Sequence, residues 1–125
     1  LLPTDEAKAT TKGKIDNFAV AYGTILFFED HNVVKGLQEQ FPSYADNFPL
    51  WSEQSTGIAS FAVWNALAEA GVGANIQHYN PLIDEKVAKE WNIPSNLVLR
   101  AQMPFGEIVG AAAPIERKAR VRVVK

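Results

Sequence analysis

Residues 71–81, "GVGANIQHYNP", combine two glycines with a run of hydrogen-bonding side chains. Gln77, His78, Tyr79 and Asn80 follow one another just after the most apolar stretch of the chain. Amide and imidazole groups donate and accept hydrogen bonds, and a phenol ring offers a face for stacking. This set of groups suits the binding of a planar ligand.

Other kinds of chemistry find little support in the sequence. With two histidines, His31 and His78, and no Gly-x-Ser-x-Gly motif, nothing local indicates a hydrolytic triad. Isolated histidines do not have the spacing of zinc ligands, and the absence of cysteine excludes disulfides and thiolate sites. Gly71 and Gly73 resemble a dinucleotide fingerprint only superficially, because they follow a predicted helix rather than a strand.

The sequence therefore favours a site built mostly from backbone. Gly73 permits close approach of a planar ligand or of another chain, and Asn75 and Gln77 offer amide groups. An alternative holds for individual residues, since His78 alone is typical of a satisfied turn or core histidine and Tyr79 of a packing residue. Their occurrence together after a buried helix favours a binding site.

The preceding helix is predicted over residues 56–70, with Ser52 and Ser55 as possible N-caps and Gly71 as a left-handed C-terminal cap. Its apolar side chains point in almost every direction around the axis. Such a helix is buried all round, either at the centre of the domain or between subunits. In so small a domain, we expect a subunit interface.

The other elements alternate irregularly, which favours an α+β fold. Before the apolar helix we expect a helix over 4–18, a doubly buried strand over 20–28, a helix from 31 that ends before Pro42, and a short helix or loop stopped by Pro49. After it we expect a helix between Pro81 and Pro94, a half-buried strand and a last short strand. The half-buried strand has Leu97, Leu99, Ala101 and Met103 on one face and Val98, Arg100 and Gln102 on the other; the last strand contains Val121, Val123 and Val124.

Length and composition indicate one soluble domain, because 125 residues with 47% apolar and 21% charged side chains are ordinary for a globular protein. No segment has the pattern of a membrane span or signal peptide, so we expect a cytoplasmic protein without a membrane partner. The net charge is −2, yet residues 116–125 carry five basic groups and one acid. A local basic cluster on an acidic chain indicates a small anion rather than nucleic acid, or else a solvated terminal strand.

Four blocks together carry a family resemblance: "AYGTILFFED", "FPSYADNFPLWSEQSTG", "AVWNALAEAGVGANIQHYNPLID" and "MPFGEIVG". From about Lys12 to Val109 they resemble the nitroreductase-like family of flavoproteins. The similarity is to its branch of fungal fatty-acid-repression proteins and bacterial hydroperoxide- or copper-responsive nitroreductases.

The resemblance implies a nitroreductase-like mixed sheet with surrounding helices and a central buried dimer helix, formed here by the residues after Ser55. It further implies a homodimer that binds FMN at the subunit interface. Residues 1–125 would be a single domain, the C-terminal portion of the family domain. The family's N-terminal region, which carries an arginine-rich phosphate-binding motif, has no counterpart in this sequence; either the sequence is a portion of a longer polypeptide or that region is absent.

The resemblance also assigns site residues. The segment leaving the dimer helix would run along the isoalloxazine ring and donate a backbone hydrogen bond to flavin N5. It comprises Ile76, Gln77, His78 and Tyr79, and Gly73 and Asn75 precede it. We expect His78 to line the flavin site rather than to act as a general base.

The basic C-terminal segment gains a role from the same resemblance, because family members place a C-terminal Lys or Arg on the FMN phosphate. Arg117 and Lys118 are the first candidates and Arg120 the next, although their spacing departs from the family pattern. A guanidinium suits this role because it binds phosphate through two hydrogen bonds.

The expected activity follows from the cofactor, with no side chain acting as a nucleophile. NAD(P)H would reduce the flavin, and the reduced flavin would pass electrons to a small nitro or quinone acceptor in a ping-pong cycle. Two alternatives stay open. One is a flavin-binding regulatory or redox-sensing protein with little turnover, and the other is a chain that folds and dimerises without FMN.

Overall fold

A computed structural model describes residues 4–116 and 121–124. Helices and strands mix without a repeating βαβ unit, so the predicted α+β class is confirmed. The elements are α1 (Asp5–Ala19), β1 (Gly23–Asp30), α2 (His31–Gln40), a 3₁₀ turn (Pro42–Tyr44), α3 (Phe48–Glu69), β2 (Gly73–Ala74), α4 (Asp84–Glu90) and β3 (Leu97–Gly106).

The sheet has the order β1–β3–β2, and both strand pairs within the described residues are antiparallel. The central strand β3 supplies most of the core. Leu99, Ala101 and Met103 are 4%, 2% and 0% exposed, respectively. These residues of β3 are therefore closely packed on all sides.

A β-bulge in β3 sets the direction of its side chains. Phe27 pairs with Ala101 and Phe28 pairs with Leu99, so Arg100 is an extra residue without a partner on β1. Arg100 and Ala101 both face α3, whereas Leu99 lies on the α4 side. The predicted alternation is wrong at this point, because the bulge reverses the pleat.

Gln102 provides a second correction to the predicted half-buried strand. It is 5% exposed and faces Val87 and Trp91 on the α4 side, so both faces of β3 are covered near its middle. Because β3 lies between α3 and α4, both of its faces are shielded from solvent, including the face that carries polar residues.

Helix α3 begins eight residues earlier than predicted, at Phe48. Pro49 lies in its first turn, where a missing backbone N–H costs nothing, so it starts the helix instead of stopping a segment. Ser52 and Ser55 consequently lie inside the helix and are not its caps. The predicted cap at the other end is confirmed, since Gly71 has φ +72°.

Most of the apolar surface of α3 is uncovered in the single chain. Ser60 is its one buried residue, while Ile58 and Phe61 are 71% and 65% exposed. Burial of α3 at the centre of the domain is therefore wrong, because the three-stranded sheet covers one side of the helix. Burial between subunits stays a prediction.

The C-terminal part leaves the sheet after Gly106. In residues 121–124, Val121, Val123 and Val124 are exposed and form no strand, which contradicts the predicted last strand. A β-branched sequence indicates strand propensity, but a strand also requires a partner, and none pairs with it among the described residues. Within residues 4–116 and 121–124, no helix combines the length and apolarity needed to cross a bilayer.

Candidate functional site

An open groove of about 400 Å³ separates α3 from the sheet, and we call it the α3 groove. One wall is apolar and aromatic, and the facing wall carries a histidine and an arginine. The lining residues are Glu53, Thr56, Gly57, Ser60, Phe61 and Trp64 from α3, Ile76 and His78 from the segment after β2, and Arg100 and Ala101 from β3.

Alternate residues of the segment after β2 bind β3 through their backbone. The amide of Asn75 donates to the Pro104 carbonyl at 3.1 Å, and that of Gln77 donates to the Gln102 carbonyl at 2.7 Å. The amide of Tyr79 donates to the side-chain Oε1 of Gln102 at 2.9 Å. Residues 75–79 therefore extend the sheet edge, with odd-numbered amides turned inward.

The amides of Ile76 and His78 point the other way, because successive amides alternate in an extended segment. No acceptor for either amide occurs within the described residues. The side chains of both residues line the α3 groove. The structure thus presents two available backbone donors, two residues apart, at the edge of the groove.

The ring of His78 is oriented by β3. Its Nδ1 lies 3.0 Å from the Arg100 carbonyl oxygen. A carbonyl oxygen can only accept a hydrogen bond, so Nδ1 carries the proton and donates it. In neutral His78 the unprotonated atom is then Nε2, for which no partner occurs in the described part of the chain.

The predicted polar residues do not all enter the α3 groove. Gly73 and Asn75 line a second open groove, of about 540 Å³, with Tyr22 and Phe105. Gln77 donates from its side-chain Nε2 to Oδ1 of Asn75, so these two side chains bind each other. Of the predicted segment, only Ile76 and His78 contribute side chains to the α3 groove.

Gly73 lies close to other parts of the chain. A Cβ atom at this position would lie 3.1 Å from Cγ1 of Ile108 and 3.4 Å from the carbonyl oxygen of Gly106. Within the single chain, the close neighbour of this glycine is the end of β3, and its predicted approach to a planar ligand or another chain stays a prediction. The Tyr79 side chain, predicted as a stacking face, is not among the residues that line the α3 groove.

Asn80 and Gln102 form a structural network. The side-chain Nε2 of Gln102 donates to Oδ1 of Asn80 at 3.0 Å. Asn80 donates in turn to Oδ1 of Asp84 at 2.6 Å and to the Leu99 carbonyl at 2.8 Å. Because Gln102 is buried, these bonds satisfy groups that would be costly to leave unpaired. The polarity of residues 77–80 thus serves the fold as well as the groove.

Arg100 lies between two carboxylates at the floor of the α3 groove. Its Nη2 lies 2.5 Å from Oε2 of Glu29 and 3.2 Å from Oε1 of Glu53. The Glu29 side chain is only 3% exposed, whereas that of Glu53 is 55% exposed. Arg100 therefore compensates a buried charge and also contacts a solvated one.

Burial raises the pKa of Glu29, but its neighbours outweigh this effect. Hydrogen bonds from Ser52 and Arg100 and the positive charge of Arg100, aided by His31, hold the pKa below its ordinary value. His31 contributes from Nε2, 3.6 Å from Oε2 of Glu29. The carboxylate accordingly stays ionised in the folded chain near neutral pH.

Trp64 links α3 to the sheet edge. Its indole Nε1 donates to the Ala74 carbonyl at 3.1 Å, directly before the segment that carries the available amides. The side chain also lines the α3 groove. Trp64 therefore fixes the distance between the two sides of the groove at one end.

Three charged residues of this site were not predicted from the sequence: Glu29, Glu53 and Arg100. A signal existed for two of them, because Glu29 and Arg100 are charges within otherwise apolar strands, "ILFFED" and "LVLRAQM". Isolated opposite charges in two predicted strands indicate a pair when the strands are neighbours. The bulge that turns Arg100 toward α3 has no evident signal. Arg117, Lys118 and Arg120 lie outside the described residues.

Comparison with solved structures identifies similar proteins. The nitroreductase CinD from Lactococcus lactis in complex with 4-nitrophenol is 58% identical, with a TM-score of 0.85, and the match covers 96% of this chain and 65% of that one. CinD in complex with nicotinic acid gives 55% identity and a TM-score of 0.86, covering 99% of this chain and 68% of that one.

A relative of known sequence agrees. The Saccharomyces cerevisiae protein described as nitroreductase FRM2 is 36% identical over 116 residues, which are 93% of this chain and 56% of that protein. The chain thus spans little more than half the length of this relative. The model of the nitroreductase family matches residues 3–107. With most of its length matched, the chain belongs to the nitroreductase family.

Proposed function

We propose that the chain is an FMN-dependent oxidoreductase that takes electrons from NADH or NADPH and passes them to nitro or quinone acceptors in a ping-pong cycle. The observation that carries the proposal is the α3 groove, with the available amides of Ile76 and His78 at its edge. Family membership supports an oxidoreductase role.

The groove fits a flavin ring in its chemistry. An isoalloxazine is flat and apolar on its faces and carries hydrogen-bond acceptors along its edge. Phe61 and Trp64 provide apolar surface, and two unbonded amides provide donors. When bound, FMN supplies the ability to accept and to release a hydride.

The residues of the chain bind and orient this ring. The amides of Ile76 and His78 would donate hydrogen bonds to the edge of the ring. The amides of Gln77 and Tyr79 already donate to Gln102, so Ile76 and His78 are the remaining candidates for the predicted donor to flavin N5. Phe61 and Trp64 exclude water from the ring faces. The basic residues Arg117, Lys118 and Arg120 are the proposed phosphate ligands, from their chemistry alone.

We further propose that the protein acts as a homodimer through α3. The exposed Ile58 and Phe61 form part of an apolar surface that a soluble monomer rarely leaves uncovered. A second copy of the same helix offers matching apolar side chains. Because Phe61 also lines the α3 groove, the partner would help to enclose the ring.

Small nitroaromatic compounds are the proposed acceptors. The CinD structures hold 4-nitrophenol in one case and nicotinic acid in another. The aromatic wall of the α3 groove suits flat rings of this size, and Arg100 and His78 offer donors for polar substituents. Quinones share the flat ring and the oxygen acceptors.

Flavin titration followed by stopped-flow reduction tests the proposal. FMN added to the purified protein should lose fluorescence with a saturable dependence, and NADH or NADPH should then bleach the bound flavin. Reoxidation by 4-nitrophenol should follow. Flavin that binds but is not reduced at millimolar nucleotide would instead indicate the regulatory alternative. No binding at all would indicate a chain that folds without FMN.

A further inference from the structure

We infer that His78 is the proton donor to the acceptor in the proposed reaction, an inference that rests on the proposed function of the α3 groove. Its side chain lines the groove, is exposed, and has one nitrogen tied to the backbone and one free within the described residues. These three properties together give an imidazole that can exchange protons with both water and a bound ligand.

The hydrogen bond to β3 fixes which nitrogen takes part. Nδ1 donates to the Arg100 carbonyl, and this carbonyl belongs to the bulged, well-packed part of β3. The proton on Nδ1 therefore stays in place whether the ring is neutral or charged. Nε2 is therefore the ring nitrogen available to a bound ligand, and the bond at Nδ1 holds the ring in its orientation.

The other charged groups of the groove are already paired with each other. Glu53 on α3 and Arg100 on β3 face His78, and they contact one another at 3.2 Å. Arg100 cannot release its proton in a protein, and an ionised carboxylate has none to give. Within the described lining of the groove, His78 is therefore the side chain suited to proton delivery.

The proton balances the two-electron reduction of a nitro group. One hydride, from the reduced flavin, and one proton convert a nitro group into a nitroso group and release one water molecule. The Nε2–H bond would break and form one O–H bond on a nitro oxygen, while the hydride would supply the electron pair that reduces the nitro nitrogen and the second hydrogen of the departing water. The imidazolium becomes the neutral Nδ1–H ring, which solvent reprotonates because His78 is exposed.

The substitution His78→Asn tests the inference with little structural change. The Asn amide nitrogen occupies the place of Nδ1 and can keep the bond to the Arg100 carbonyl, while Nε2 is removed. The backbone amide of residue 78 is retained. The matched control is His31→Asn, which replaces the other histidine of the chain, outside the α3 groove.

Two measurements are needed. In stopped-flow experiments with 4-nitrophenol, His78→Asn should slow reoxidation of the flavin about 100-fold, far more than it changes FMN affinity or the rate of flavin reduction. His31→Asn should behave as the wild type. In nitrogen NMR spectra of the protein without FMN, assigned with the two variants, His78 should be the Nδ1–H tautomer at high pH.

Several outcomes would overturn the inference. The inference fails, while the proposed function stands, if the wild type is an active enzyme and the flavin of His78→Asn is reoxidised at the wild-type rate. It also fails if NMR shows the Nε2–H tautomer. A parallel loss of FMN affinity in His78→Asn would assign the ring to cofactor binding and refute proton donation. If the wild type neither binds nor reduces FMN, the proposed function fails, and the inference fails with it.

Discussion

The guanidinium of Arg100 reaches across the sheet to the buried carboxylate of Glu29, with Nε 2.6 Å and Nη2 2.5 Å from the same Oε2 atom. The bulge makes this possible, because it turns Arg100 out of the strand alternation toward α3. The pair connects β1 and β3 below the α3 groove and fixes the carbonyl that holds His78.

Removal of the cation should destabilise the fold. In Arg100→Met the Glu29 carboxylate is left buried without a partner, so the free energy of unfolding should fall by about 3–5 kcal/mol. Urea denaturation measures this loss. Adding Glu29→Gln in the same chain should restore part of the stability, whereas Glu53→Gln alone, which breaks an exposed pair, should cost less than about 1 kcal/mol. An Arg100→Met protein as stable as the Glu53→Gln control would contradict the assignment.

Stability should decline in acid because of Glu29. Its folded-state pKa lies below the ordinary value of 4.5, so the ionised carboxylate favours the folded state. The contribution is complete above about pH 4.5 and is lost as the pH falls through the lower, folded-state pKa. Unfolding free energies measured between about pH 6 and pH 3 should therefore fall less steeply for Glu29→Gln than for the wild type.

The acid slope should not vanish in that variant, because the pKa of Asp30 is also lowered, mainly by the hydrogen bond from Asn96. Asp30→Asn provides the comparison. Identical slopes for Glu29→Gln and the wild type would show that Glu29 makes no linked contribution.

Disruption of the α3 surface should separate the proposed dimer. Ile58 is 71% exposed and does not line the α3 groove, so Ile58→Asp places a charge in the proposed interface without altering the groove. Sedimentation equilibrium should show a dimer for the wild type and a monomer for Ile58→Asp. Leu82→Asp, at a position 84% exposed outside α3, should stay dimeric. A dimer that survives Ile58→Asp would place the interface elsewhere.

Arg117→Ala should weaken FMN binding by about 1–3 kcal/mol, as expected for the loss of a charged hydrogen bond to the phosphate. Fluorescence titration with FMN and with riboflavin, which lacks the phosphate, measures the effect. The riboflavin affinity should not change. Parallel titrations of Lys118→Ala and Arg120→Ala identify the group that contacts the phosphate. Equal FMN affinities for Arg117→Ala and the wild type would show that Arg117 does not bind the phosphate.

The sequence predicted those features that depend on local chemistry. Gly71 ends α3 in the left-handed conformation as expected. The pattern of apolar and polar residues predicted the positions of β1 and β3 to within a few residues. The prediction at Pro49 is wrong because a proline can end one helix or occupy the first turn of the next. The sequence around Pro49 does not distinguish these two positions. The C-terminal valines show that strand propensity alone does not predict a strand, because a strand also requires a partner.

The predicted site residues are only partly brought together by the structure. Ile76 and His78 line the α3 groove. Gln77 and Asn75 bind each other and Gly73 packs against the end of β3. Contact of any of these residues with a flavin stays a prediction. Arg100 reached the groove through a bulge, and the register shift that creates it arises from pairing between distant strands.

The hydrogen bond from Trp64 to the Ala74 carbonyl has a mechanical consequence. It couples the helix that would meet a partner to the strand end from which the two available amides project. A displacement of α3 would pull on Ala74 through the indole, because this bond joins the helix to the strand end. In the proposed dimer, a shift of α3 on subunit association would therefore also move the two amide donors.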